Sequence, residues 1–531
     1  MKGKQWIIGY LVIVITALII VAFRTVVIDP YFHFHAPKTE SYFYVLNNER
    51  SQNDGITKRF DYEGIITGTS MTANFKTSEA EDLFGVKFIK LPYQGGSYRE
   101  VNSNLIVATA RNPKLKYIIR GLDMNKFFED KDAMRFDMGT YPTYLYDDNW
   151  LNDVRYLFNR DVFFSRIYPM TKERNNPDFQ AGMTTFDAYS NLMKGRRFGH
   201  KVLFPNGLPS TTPEKPVELS QQDIDTIVAN VRQNLTSLAE KYPNIEFYYF
   251  FAPYSIAWWK TTQVEGKLDR QIDAEKIVIE EILKYKNIKL FAFNSLYNIT
   301  TDLNHYRDSK HYGSWINSLM LYYMRDGKYQ LTWDNYLQHL EKERQFYKTF
   351  DYTQLTKQTD YESDYYAAAL LNEEMTGTKP YPIDLEKIDS LELSNATIEK
   401  NQYKGKSGLV CTGTLKRRSG GSALSVSEFL YRIGYVGAKI RLPDVSPYNY
   451  LVFYGKKETN KGQLTMRLYD KNGKELAALN KGYRRLDDGW HQYVVDISGA
   501  KGPCTLILNG GYIYDTGNPD SRYIFSDITL Y

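Results

Sequence analysis

Cysteine is nearly absent from this 531-residue chain: there are two, Cys411 and Cys504, both in the last third. A framework of several disulfides is thereby excluded. Neither cysteine has a neighbour at metal-ligand spacing, which argues against structural zinc. One bridge between them and two buried thiols both remain open. An excess of charge of one sign is missing too. Lysine and arginine number 67 against 62 acidic residues, a net charge of +5, and charged residues make up 24% of the chain. That balance is too mild to call for nucleic acid, and it suits contact with an anionic cell envelope. Internal repeats, a collagen-like period and heptads are lacking as well.

Only one long apolar run occurs. Trp6–Phe23 has eighteen residues without a charge, and TVVI extends it beyond Arg24. At ~1.5 Å per residue this crosses the hydrocarbon of a bilayer, with Arg24 snorkelling to the surface. Lys2 and Lys4 before the run favour a cytoplasmic amino end. FRTVVIDPYFHFH offers no small-residue processing site, so residues 1–29 are expected to be an uncleaved signal anchor. The expected location is a cell membrane, single-pass, with the bulk of the chain outside, in a Gram-positive bacterium.

What the chain has in abundance is aromatic side chains, 15% of residues with 45 tyrosines. A tyrosine has a flat apolar face and a hydroxyl, which serves carbohydrate surfaces and ordinary cores alike.

From Tyr62 onward, short apolar runs alternate with amphipathic stretches. YEGIITG, VKFIKLPYQG, LKYIIRGLD, IEFYYFFAP and IKLFAFN read as strands, with helical patterns at about 98–109, 221–241 and 270–286. This predicts an α/β domain over 30–350 with a mostly parallel sheet, whose ligands sit beyond the carboxyl ends of the strands. Residues 124–215 lack strong periodicity and read as an insertion that could wall a cleft. A linker with a short helix, YESDYYAAALLNEE, spans 351–385 and ends in Gly-Thr-Lys-Pro-Tyr-Pro. Beyond it, 386–531 reads as strands throughout: LELSNATIEK, ALSVSEFL, VGAKIRL, YNYLVFYGKK, GQLTMRLYD, WHQYVVDIS, CTLILNGG and YIFSDITLY. These predict an antiparallel sandwich.

Two stretches carry candidate chemistry. Ser70, in GIITGTSMTANF, follows a strand at a turn relieved by Gly68, where a hydroxyl stands at the strand's carboxyl end. An N-cap serine is the plainer reading. In DLNHYRDSKHYG, Asp308 and His311 are three apart, so a carboxylate can hold the imidazole while its other nitrogen faces a nucleophile. His305 and Asp302 form a competing pair. A metal reading of the four lacks a third strong ligand from another segment, and neither metal nor cofactor is called for.

Together these stretches resemble the SGNH/GDSL hydrolase superfamily. They are similar above all to its membrane-anchored branch that handles acyl groups on cell-envelope polymers, including teichoic acid D-alanyl-transfer and alginate and peptidoglycan O-acetyltransferase proteins. DPYFHFHAP, GTSMT, GLDMNKF, YPTYLYDDN and DLNHYRDSKHYG carry the resemblance, over roughly residues 28–345. It implies Ser70 as nucleophile, His311 as general base and Asp308 as its orienting acid, with Gly95 or Gly96 lending an oxyanion-hole amide. Where the family has an asparagine donor this chain has Asp123, and an ionised carboxylate cannot donate. Asp123 then orients a loop or binds sugar, and Asn74 or a backbone amide supplies the donor.

PYNYLVFYGKKE, GWHQYVVDISG and YIFSDITLY resemble jelly-roll modules appended to carbohydrate-active enzymes, with Tyr448, Tyr450, Trp490 and Tyr512 as candidate glycan contacts. The resemblance implies O-acyl, above all O-acetyl, transfer to an extracellular polysaccharide, with a multi-pass membrane O-acyltransferase as partner supplying the acyl group. An O-acetyl esterase using the same triad and a non-catalytic glycan-binding assembly protein are the alternatives.

Overall fold

The computed structural model describes residues 2–136, 141–191, 196–208, 214–357, 371–372, 375–387, 391–394, 396–413, 437–458, 464–479, 483–485, 489–510 and 521–531. The chain forms two compact units. The first comprises Met1–Arg196, Ser210–Thr301 and Ser309–Asp351, and the second Arg197–Pro209, Asp302–Asp308 and Tyr352–Tyr531.

The first unit begins with helix α1, Lys2–Ile28. Its segment Gly3–Ile28 is long and apolar enough to cross a membrane. Asp29 ends it at φ +47°, completely buried. Its carboxylate accepts the amides of His33, Phe34 and His35 at 2.7–3.0 Å and the Tyr156 hydroxyl at 2.8 Å. The DPYFHFH stretch is therefore folded tightly around one carboxylate.

Among the described residues the unit has a six-stranded sheet. Its strands are β1 (Gly64–Gly68), β2 (Phe88–Pro92), β3 (Tyr117–Leu122), β4 (Glu246–Phe251), β5 (Ile288–Ala292) and β6 (Gln330–Leu331). The order is 2-1-3-4-5-6, parallel except for β6. Nearly every residue of β1 to β5 is buried, as expected of a parallel sheet covered on both faces. Helix α2 (Glu49–Arg59) precedes β1, and α3 (Thr77–Phe84) and α4 (Tyr98–Arg111) connect the first three strands. α5 (Gln221–Val231), α6 (Ile256–Val264), α7 (Leu268–Ile282), α8 (Ser314–Asp326) and α9 (Tyr336–Thr349) follow. α5 starts at a capping box, Ser220 with Asp223, as does α4 with Ser97 and Glu100. β1 lies between β2 and β3, so the connection reverses direction there. Such a switch point opens a crevice at the carboxyl ends of the strands.

The stretch 124–215, expected to wall a cleft, contains short helices within its described part. A two-residue strand, Gly182–Met183, pairs in parallel with Phe43–Tyr44. Asp187 accepts from the Thr77 and Ser78 hydroxyls at the start of α3, which supports the segment following Ser70.

The second unit holds two antiparallel sheets sharing one core, to which Leu409, Cys411, Phe453 and Phe525 contribute from one sheet and Ile440, Met466, Leu506 and Leu508 from the other. Alternate residues of each strand point inward, the period of two expected of half-buried strands. LELSNATIEK is not one strand, as its pattern suggests, but two: Leu391–Ser394 joins one sheet and Ala396–Tyr403 the other. ALSVSEFL and most of YESDYYAAALLNEE lie outside the described residues. Cys411 and Cys504 are both free and buried. Burial pushes the Cys411 thiol up to about 12.

Candidate active site

Ser70 follows the carboxyl end of β1 and opens a short turn of 3-10 helix, Ser70–Thr72. Gly68 makes the exit possible. Its φ is +145°, and a Cβ there would meet the Thr72 methyl at 2.8 Å and the Gly121 backbone at 3.2 Å. Thr69 caps the turn, its hydroxyl accepting from the Met71 amide at 3.4 Å and donating to the Asp123 carboxylate.

His311 comes from the loop before α8, 241 residues further along the chain. Its Nε2 lies 2.7 Å from Ser70 Oγ, and both residues are partly exposed. The His311 loop is tied to the Ser70 turn independently of this bond. The Met71 carbonyl accepts from Asn317 Nδ2 at 3.0 Å and from the Tyr312 hydroxyl at 3.4 Å. Ser255, after β4, holds the other end by donating its amide and hydroxyl to the Ser309 carbonyl at 3.1 and 2.8 Å. Two loops fixed at several points keep the serine–histidine distance from depending on one contact.

Asp123, at the end of β3, is 5% exposed. It accepts from Thr69 through one carboxylate oxygen and from the Tyr254 hydroxyl through the other, while its carbonyl accepts from the Tyr98 hydroxyl at 3.0 Å. Burial, reinforced by the Asp123 charge, holds the Tyr254 phenol well above its ordinary range, so it stays protonated and donates. Asp123 thus orients the turn that carries Ser70.

The loop after β2 brings the two glycines beside β1: the Tyr93 amide donates to the Gly68 carbonyl at 2.8 Å. Of the amides from Gln94 to Ser97, three donate elsewhere, Gln94 to Glu49, Gly96 to the Tyr93 carbonyl and Ser97 to Glu100. Gly95, at φ +63°, has the amide that remains unengaged among the described residues. That separates the two candidates by their amides alone: that of Gly96 is committed to its turn bond and that of Gly95 is not. Asn74 is buried four residues beyond Ser70.

Lys90, in β2, is fully buried behind this turn and donates to the carbonyls of Ala73 at 2.6 Å and Phe75 at 2.9 Å. Burial brings its amine down to about 7, against the opposing charges of Asp187 and Glu49. Thr69, Tyr254, Asn317 and Lys90 all shape the site, and none stands in a sequence pattern that would single it out.

Asp308 belongs with the second unit, where Arg307 Nε lies 3.1 Å from its Oδ2. In the same segment His305 is buried with its Nε2 3.9 Å from Asp302, beyond hydrogen-bond reach. No group of three or more His, Cys, Asp or Glu able to hold a metal occurs among the described residues.

Of the candidate glycan contacts, Trp490 is 4% exposed and packs with Tyr403, Val410 and Ile524. That burial withdraws its ring from an open stacking surface. Tyr448 is half-buried against the common core, and Tyr450 packs beside Val452 and Val494. Tyr512 lies outside the described residues.

No family model matches the sequence, and no curated protein matches it. Among solved structures, the family 11 carbohydrate-binding module of the cellulosomal cellulase Lic26A-Cel5E of Clostridium thermocellum is similar over 29% of this chain and 94% of its own. The identity is 14% and the TM-score 0.20. CsCBM6-3 from Clostridium stercorarium, solved with cellobiose, is similar over 28% and 91%, at 14% identity and a TM-score of 0.18. A Streptococcus pneumonia protein described as a putative platelet activating factor is similar over 52% and 90%, at 11% identity and a TM-score of 0.28. The likeness is a weak, low-identity one to carbohydrate-binding modules and glycoside-hydrolase domains, and membership of the SGNH/GDSL superfamily is not shown. Scores this low carry no argument about chemistry.

Proposed function

We propose that the chain transfers an O-acyl group, acetyl in the first instance, to an extracellular polysaccharide through an ester on Ser70. The observation that supports this reading is the 2.7 Å contact between Ser70 Oγ and His311 Nε2 at the carboxyl edge of a parallel sheet.

Ser70 Oγ attacks the carbonyl carbon of the acyl donor while His311 Nε2 takes its proton. The amides of Ser70 and Gly95 receive the developing oxyanion. The donor's carbon–heteroatom bond then breaks, its leaving group takes the proton from His311, and acyl-Ser70 remains. A sugar hydroxyl attacks the new ester, His311 removes its proton, and that proton returns to Ser70 Oγ as the acyl group departs. Asp308 is proposed to orient the imidazole. Helix α1 anchors the site at the outer face of the membrane, where a multi-pass membrane partner supplies the acyl group.

A second reading, a non-catalytic glycan-binding assembly protein, is favoured by the aromatic group on one face of the second unit. Tyr403 stacks on Tyr454 at 4.2 Å between centroids and packs on Trp490 at 4.9 Å. Partly exposed Tyr454 is the ring there that a sugar can reach.

Intact mass of the full chain in detergent, after exposure to an aryl acetate with and without glycan oligomers, tests both. Transfer requires one acetyl on wild type, none on Ser70→Ala, and discharge accelerated by oligomers that themselves become acetylated. Discharge to free acetate regardless of oligomer makes the chain an esterase. Oligomer binding with no adduct and no turnover leaves the assembly reading.

A further inference from the structure

Residues 150–168 contain a concentration of exposed apolar side chains that neither catalysis nor the core uses. Trp150 is 77% exposed, Leu151 64%, Val154 50%, Phe158 41%, Phe164 62% and Tyr168 57%. They are not the failed core of a loose loop. Tyr156, Val162 and Ile167, interleaved with them, are buried, so the segment is packed on one side and apolar on the other. Phe164 and Tyr168, four apart in a helical stretch, share its outer face.

The place of this surface along α1 is fixed by contacts within the first unit. α1 packs against Val154–Leu157 and Phe163–Ile167. The Thr25 hydroxyl donates to the Leu157 carbonyl at 3.1 Å, and the Tyr156 hydroxyl reaches Asp29 just beyond the helix end. Twenty residues separate the ends of the stretch from Trp6 to Thr25, counted inclusively. About 20 helical residues span the hydrocarbon of a bilayer. With Trp6 at one boundary, Thr25 and therefore Leu157 stand at the other. Arg155 and Arg160 in this stretch, and Lys172 and Arg174 just after it, are exposed beside the exposed acids Asp161 and Glu173, and Arg174 lies over the Tyr42 ring at 5.2 Å.

We infer that residues 150–168 form a collar beside the emerging helix that inserts its aromatic and aliphatic side chains into the interfacial layer of the outer leaflet, with Arg155, Arg160 and Lys172 at the lipid headgroups. Tryptophan, tyrosine and phenylalanine flanked by basic residues, held at the depth where a spanning helix leaves the hydrocarbon, match the chemistry of that layer. The occupant is the lipid surface because the patch is continuous with the helix itself. The inference rests on α1 spanning the membrane.

The test uses the full chain in protein-free vesicles of phosphatidylcholine and phosphatidylglycerol, with and without bromine on the acyl chains. The Trp150 signal is the difference between wild type and Trp150→Phe, which cancels the other tryptophans. Loss of that signal in brominated lipid, with protection from aqueous acrylamide, is the expected result. Leu151→Ser with Phe164→Ser should then shift Trp150 emission to the red and restore part of the signal. A Trp150 signal untouched by bromine but open to acrylamide overturns the collar, and a membrane-protein partner for this face becomes the better account. Resistance of the protein to alkaline extraction reports α1 separately. Protein that stays in the membrane with Trp150 in water sinks the collar alone, whereas extractable protein with Trp150 in water sinks both.

Discussion

The hydroxyl of Thr69 donates to the buried carboxylate of Asp123, 54 residues away at the end of the neighbouring strand. This bond sets the direction of the turn that carries Ser70, and the opposite oxygen of the same carboxylate is held by Tyr254. The residue that cannot donate to an oxyanion is the residue that holds the Ser70 turn in place.

Thr69→Val keeps the shape of the side chain and removes the donor. It should destabilise the first unit by about 1–3 kcal/mol, because Asp123 loses a partner inside the fold. Acylation of Ser70 should slow as the turn loosens. Urea unfolding of Thr69→Val, Asp123→Asn and the double variant should show a coupling of about 0.5–3 kcal/mol. Strict additivity would mean the two residues do not act through each other.

Gly95→Ala and Gly68→Ala should part company. At Gly95 the left-handed backbone costs about 1–2 kcal/mol with any Cβ. The atom in the way is Arg135 Nη1, the movable end of a side chain. Gly95→Ala should therefore fold and lose acylation. Gly68→Ala drives a Cβ towards the Gly121 backbone, which cannot move aside, and should be the less stable variant by thermal melting.

Lys90 should make stability rise with pH. Its folded-state amine, at about 7, lies below its ordinary value of 10.5, so between these values the unfolded chain holds the extra proton. Wild type should gain up to about 1.4 kcal/mol per pH unit from this group above pH 7, and Lys90→Met should lack that slope. The neutral amine still donates to Ala73 and Phe75, so the site survives the titration. Equal slopes in unfolding series from pH 7 to 10 would refute the assignment.

Glu343 should act in the opposite direction. It is completely buried beside Glu275, both bridged by Asn294 Nδ2 at 2.6 and 3.1 Å, with His339 Nε2 3.6 Å away. Burial pushes Glu343 up to about 8 and Glu275 higher than usual, while burial brings His339 down to about 4. The folded state therefore keeps a proton that the unfolded chain releases above pH 4.5, and stability falls as pH climbs from there to about 8. Glu343→Gln should match wild type near pH 4 and exceed it at pH 8, read from denaturation midpoints.

What the sequence made legible follows from the range of each signal. Strands such as IEFYYFF are apolar along their whole length and mark themselves. Ser70 was visible because an apolar strand runs directly into a glycine turn, and His311 because a polar cluster precedes α8. The Thr69–Asp123–Tyr254 group was not, since partners 54 and 131 residues apart leave no local pattern. Lys90 has no local pattern that marks it as buried, and only the assembled sheet shows it so. KSGLVCTG, rich in glycine and polar residues, pairs with two strands yet carries a weak strand signal. LELSNATIEK reads through without a break because nothing in its alternation shows that its halves belong to different sheets.

The carboxylate of Asp29 gathers three successive loop amides and a tyrosine hydroxyl directly at the end of α1. A joint of this kind is stiff, unlike a glycine- or serine-rich linker that lets a tethered domain roam. With α1 in a bilayer, Ser70 would work at one fixed altitude. If the proposed transfer operates there, polymer strands would have to pass through that plane to be modified, so the reaction would mark them by when they leave the membrane.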